Sequence, residues 1–130
     1  ARGYFSDFEE TTLAIMTDAI VSHSFSAGRT PETLEGAILR DSERLESLGA
    51  LGIARVFYVS GLMGGALFNA DDPFAERRGL DDVSFALDHF FKKVLKLEST
   101  MMTERGRELA RDYTAFIEVY LDRFREEIGV

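Results

Sequence analysis

The sequence predicts an all-α bundle of about five helices in one domain, and three observations in the residues lead to that class. Apolar residues recur at three- and four-residue intervals along most of the chain, the period of a helix with one buried face. No stretch alternates with period two for long enough to make a strand. Cap and turn residues such as Thr30-Pro31, Gly49 and Gly129 separate the periodic stretches, as helix starts and stops do.

Helix one is expected from about Asp7, behind the capping-box pattern Ser6-Asp7-Phe8-Glu9. Leu13, Met16 and Ile20 give its apolar face, and His23 is the next position on it. A turn over Ser24–Arg29, containing Gly28, follows. Helix two is expected from Pro31 to Leu48, with Thr30 as N-cap and an apolar stripe of Leu34, Ile38, Leu45 and Leu48. Asp41 falls in the middle of that stripe. Gly36 inside it costs helix propensity, which suggests a bend or a close contact. Helix three, about Ala50–Val59, lies in the nearly continuous apolar run from Gly49 to Gly65 and reads as buried. The section from Gly61 to Gly79 is irregular, with one short helical turn expected at Pro73–Arg77. Helix four, about Asp82–Leu97, carries Val83, Leu87, Phe90, Val94 and Leu97 on one stripe. Helix five should start at Thr103 and end near Ile128, with a broad apolar face from Leu109 to Phe124.

Composition narrows the functional classes. Hydrophobic residues make up 45% of the 130 positions and aromatic residues 12%, enough for a packed core. Cysteine is absent, which excludes disulfide and thiolate chemistry and fits a reducing, cytoplasmic setting. A net charge of -8 disfavours general binding to nucleic-acid phosphates. No apolar run reaches the roughly 18 residues that span a bilayer.

A carboxylate within an apolar helix stripe is costly unless a cation or hydrogen-bond donors meet it. Asp41 therefore reads either as a ligand to a divalent metal or as a buried acid paired with Arg55 or another donor in the core. His23 reads as a ligand or general base, or as a core histidine bonded to a carbonyl. His89, Lys93 and Lys96 fall on one face of helix four, with Lys92 beside them, as a phosphate-binding or simply solvated basic face. Asp71, Asp72, Asp81 and Asp82 occupy turn and helix-start positions and receive no chemical role.

Several of these residues lie in a familiar order. His23-Ser24-Phe25-Ser26, Pro31-Glu32-Thr33-Leu34-Glu35 and the run from Ile38 to Ala50 are followed by Gly52-Ile53-Ala54-Arg55. Asp72-Pro73-Phe74 and Asp88-His89-Phe90 through Lys96-Leu97 continue the pattern. Together they resemble the C-terminal two-thirds of small bacterial HD-domain phosphohydrolases that act on nucleotides. The resemblance implies an all-α fold with a divalent metal (Mn, Mg, Fe or Zn) held by an early His, a His-Asp doublet and a late Asp. Asp41 falls on the late Asp. His23, His89, Lys93 and Lys96 would lie near the nucleotide or phosphate side of that pocket.

The early His and the His-Asp doublet have no counterpart in the 22 residues before His23, which contain no histidine. The acidic pattern after the late Asp is reduced to Glu43 and Glu46, and Ala37 stands where a lysine is usual. The expectation is therefore an N-terminally truncated HD-like protein without catalysis or a metal of its own, acting as a regulator, decoy or phage-type inhibitor. The alternative is the C-terminal fragment of a phosphohydrolase whose other ligands lie outside this chain. In either case a homodimer contact or a protein partner is expected over helix one and the 49–65 segment, with Phe57→Glu weakening it.

Overall fold

The computed structural model describes residues 8–23 and 28–130. Ser6 and Asp7 of the expected capping box, and Ser24–Ser26, lie outside them. The described residues form five α-helices: α1 Glu10–Ser22, α2 Leu34–Leu45, α3 Gly49–Leu62, α4 Ala86–Lys92 and α5 Glu104–Ile128. Two 3₁₀ turns, Val94–Lys96 and Glu98–Thr100, connect α4 to α5. Among the described residues the one β element is an isolated parallel bridge between Ala66 and Phe85. The all-α expectation holds. The chain divides into two compact units, residues 1–43 and 44–130.

In the first unit, α1 and the start of α2 are tied by one carboxylate. Asp18 accepts the backbone N–H of Glu32 and Thr33 at 3.1 and 3.0 Å and the Thr33 hydroxyl at 2.7 Å. Thr33 Oγ1 in turn accepts the N–H of Gly36 at 3.1 Å. Thr33, not Thr30, is thus the N-terminal cap, and α2 starts three residues later than the Thr-Pro pattern predicts. Gly36 makes the expected close contact, because a Cβ there would sit 2.8 Å from Asp18 Oδ2 and 2.9 Å from Pro31 Cβ. This contact turns positions 36 and 37 inward. Leu34 and Ile38 are consequently 67% and 49% exposed, and the buried row is Ala37, Asp41, Arg44 and Leu48. On α1, Ala19 and Ser22 are buried, whereas Ile20, expected on the core face, is exposed.

The second unit holds the main core. Leu87, Phe90, Val94 and Leu97 on and after α4 meet Leu48, Ile53 and Met101, together with Ala110, Ile117 and Leu121 of α5. The expected stripe of helix four is therefore correct in its last four members, and Val83 is exposed outside the helix. The helix itself is seven residues long, because Lys93 leaves helical geometry at φ −134°, ψ −57°. α3, read from its composition as a buried helix, is buried on one face. Its buried residues are Gly49, Gly52 and Ile53, whereas Leu51 and Leu62 are 77% and 70% exposed. Gly49 has φ +63° and faces the Tyr113 ring, where a Cβ would be 3.3 Å from Cγ, so a left-handed glycine is required at the start of α3.

α5 matches its expected bounds, with Thr103 Oγ1 accepting the Gly106 N–H at 2.9 Å. Its buried line is Ala110, Thr114, Ile117 and Leu121, and Phe116, expected inside, is exposed. Phe57 of α3 sits 5.7 Å from the Phe90 ring and 6.3 Å from both Tyr120 and Phe124. Burial raises the Tyr120 phenol above its ordinary pKa. Phe57→Glu would place a charge in this aromatic cluster, so it probes folding and not an interface. Removing the cap by Thr103→Ala is expected to lower stability by about 1 kcal/mol, whereas Phe57→Ala should cost roughly 3–5 kcal/mol. Urea denaturation followed by far-UV circular dichroism measures both.

Candidate functional site

Residues 63–85 wrap over the α4 side of the second unit without forming the expected helical turn at Pro73–Arg77. Asp72 prevents that turn, because its carboxylate accepts the N–H groups of Glu76, Arg77 and Arg78 at 2.9, 2.9 and 3.1 Å. Asn69 Oδ1 accepts the N–H of Asp71 and of Asp72, each at 2.9 Å. Arg78 emerges from this turn and reaches Asp88 of α4, with Nη1 and Nη2 at 2.5 and 2.7 Å from its two oxygens. The Asp88 side chain is 1% exposed. Its Oδ2 also accepts the Asp81 N–H at 2.6 Å. The Arg78 guanidinium is held above its ordinary pKa by its hydrogen bond to Asp88.

The backbone held at Asp81 delivers Asp82 to α4. Asp82 Oδ2 lies 3.0 Å from His89 Nδ1, and Asp82 Oδ1 accepts Lys92 Nζ at 2.6 Å. Those hydrogen bonds, that from Lys92 first, keep the Asp82 carboxyl below the usual carboxylate range. The same contact raises the Lys92 ammonium pKa.

This group borders a cavity of about 390 Å³ between α3 and α4, within the size range of small-ligand sites. Arg55, Ser60, Asp82, His89 and Lys93 give it polar walls, and Val56, Val59, Met63, Val83 and Val94 give it apolar ones. Its shape and chemistry suit an anion that carries an apolar part.

The structure brings two of the expected site residues together, His89 and Lys93. Lys96 does not line the cavity, because the break at Lys93 carries it into the following 3₁₀ turn. His23 and Asp41 belong to the other unit. His23 caps α1 with Nδ1 2.6 Å from the Ile20 carbonyl oxygen, in line with the carbonyl-bonded reading. Asp41 is 2% exposed on α2. Arg55, one of the two donors expected for it, lies on an exposed face of α3, with Glu46 at 3.8 Å. Asp82 received no role from the sequence, although His89 and Lys92 follow it at seven and ten residues. Asp88 received no role from the sequence either, and its position between Leu87 and Phe90 on the expected buried stripe was the signal that could have found it.

No family model matches the chain. Over 100 residues it is 32% identical to the uncharacterized protein YpgQ of Bacillus subtilis, a span of 77% of this chain and 43% of YpgQ. A crystal structure of YpgQ matches 94% of this chain and 57% of YpgQ with a TM-score of 0.74 and 30% identity. An HD-superfamily hydrolase from Bacillus thuringiensis matches 75% of this chain and 48% of its own, with a TM-score of 0.62 and 29% identity. The fold is HD-like. These likenesses support an HD-like family for the chain, which spans about half the length of the relatives it matches. YpgQ has also been crystallised in complex with ADP, and that structure matches at a TM-score of 0.64 and 34% identity over 76% of this chain and 46% of YpgQ.

An HD-like fold implies a divalent metal, and the donor set of the described residues does not fit one. Among them no three His, Cys, Asp or Glu side chains gather where one ion would meet them, and Asp41 alone supplies a single carboxylate. No step of chemistry in the HD-like chain is therefore assigned to a metal.

Asp18, Asp72, Asp81 and Asp82 are all held below the ordinary carboxylate range by hydrogen bonds. Each therefore contributes stability that is complete above the unfolded value near pH 3.9 and is lost as pH falls through the lower folded value. The melting temperature is expected to fall steeply below about pH 4, and Asp72→Asn should flatten that limb. Differential scanning calorimetry across pH checks this, and an unchanged limb in the variant would contradict it.

Proposed function

We propose that the HD-like chain is a nucleotide-binding module that grips phosphate in the α3–α4 cavity and does not assemble a metal centre from its own residues. The observation that carries this reading is the convergence of Arg55, His89 and Lys93 on one cavity with apolar walls. The cations would neutralise phosphate oxygens, and Val56, Val59 and Met63 would cover a base. The likeness to YpgQ, which is seen with ADP, supports the ligand class. In a longer phosphohydrolase, a His and a His-Asp doublet from outside these residues would join Asp41 around the metal. A cytoplasmic setting goes with a nucleotide ligand. Isothermal titration with ADP is expected to give a single site, weakened about tenfold by His89→Gln and by Lys93→Met. Absence of heat at millimolar ADP, or affinity unchanged in both variants, would remove the reading.

A second reading, binding to another protein without catalysis, is favoured by the exposed face of α3. Leu51, Tyr58 and Leu62 recur there at helical spacing, with Met63 beyond the last turn. On α1, Ile20 and Val21 are exposed as well. Apolar surface of this kind is commonly covered by another chain. A second copy or a regulated partner is the proposed cover. Light scattering after size exclusion is expected to show a mass above 14.6 kDa, and Leu62→Glu should return it to the monomer. A monomeric parent chain at micromolar concentration would count against this second reading.

A further inference from the structure

We infer that Asp82 is a positioning residue for His89, holding the imidazole by Nδ1–H so that Nε2 is the nitrogen offered to a phosphate oxygen. The inference rests on the reading of the α3–α4 cavity as a phosphate site and gives that site a pH dependence. Asp82 divides its carboxylate between two partners, His89 Nδ1 at 3.0 Å and Lys92 Nζ at 2.6 Å. An ionised carboxylate only accepts hydrogen bonds, and this one is held ionised by Lys92 and His89. Nδ1 is therefore the donor, and the neutral ring carries its lone pair on Nε2. An ionised phosphate oxygen also only accepts, so it is bound through Nε2 when the ring is protonated. As pH rises and the ring loses that proton, Nε2 turns a lone pair toward the phosphate and this part of the affinity disappears.

Asp82 is placed by its neighbours and not by chance contact at the surface. The Asp81 N–H is fixed on Asp88 Oδ2, and Arg78 grips both Asp88 oxygens. Among the described residues, Asp82 from the loop, Lys93 at the end of α4 and Arg55 from α3 line the cavity with His89, and Lys92 shares the Asp82 carboxylate with it. The charges of Asp81 and Asp88 add to that of Asp82 in holding the Lys92 ammonium pKa up.

The test uses the full chain with ¹⁵N-labelled histidine, in a His23→Gln background that leaves one ring to observe. At about pH 8.5 the ligand-free ring is expected to show a protonated Nδ1 and a bare Nε2. Asp82→Ala should replace this pattern with a tautomer average. ADP affinity is then compared between the parent chain and His89→Gln, a ratio that cancels the nucleotide's own ionisation. The ratio should be about tenfold at about pH 6 and collapse toward one at about pH 8.5. A protonated Nε2 in the neutral parent ring overturns the inference, and that spectrum requires no Asp82 variant to fold. A ratio equal at the two pH values overturns it as well. If the parent chain binds no ADP at all, the cavity reading fails, while the ligand-free spectrum still decides the role of Asp82.

Discussion

Asp88 has no access to water, and the second unit is arranged to answer its charge. It lies between Leu87 and Phe90 on the buried face of α4. A carboxylate left alone there would be far more costly than any single apolar contact is stabilising. Two guanidinium bonds from Arg78 and one backbone N–H from Asp81 meet it. Replacing such a pair by apolar residues often leaves stability unchanged, so its consequence here is geometric. It joins a loop of twenty-odd residues to a seven-residue helix at one defined point.

The rest of the loop is built toward that point. Asn69 and Asp72 organise the turn that launches Arg78, and the cation also stacks 4.8 Å from the Phe85 ring centroid. The Ala66–Phe85 bridge sets the entry to α4. With Asp81 held, Asp82 falls opposite His89, and a histidine on a solvated helix face becomes part of a cavity wall. The short length of α4 follows from the same arrangement: one turn closes with the Phe85 N–H on the Asp81 carbonyl, and the Ala86 and Leu87 N–H groups then go to the Ala66 and Leu67 carbonyls instead of continuing it. The Lys93 break then separates Lys93, on the cavity, from Lys96, away from it.

The face that α3 presents explains why its composition misleads. A segment as apolar as Gly49–Leu62 reads as buried all round, yet one face packs on α4 and α5 and the opposite face carries Leu51, Tyr58 and Leu62 into solvent. The packed face is the one with Gly52, Ile53, Val56 and Phe57, where glycine and aromatic rings allow close approach. Apolar content therefore reports what α3 can bury, and the neighbours present decide which face does so.

From its residues alone the chain determined its class, the bounds of α5, the buried stripe from Leu87 to Leu97 and the importance of Gly36 and Gly49. These are local matters of period, capping and backbone freedom, and they involve residues close in sequence. The phase of α2 was decided elsewhere, because an Asp18 carboxylate from α1 caps Thr33 and rotates Leu34 outward. Asp88, Arg78 and Asp82 were equally beyond a local reading. A carboxylate's role depends on which cation or N–H reaches it, and those partners arrive from a loop with no periodic signal. The tertiary structure alone decided that His89 and Lys93 share a cavity with Arg55, since packing of α3 against α4, not spacing along either helix, sets that distance.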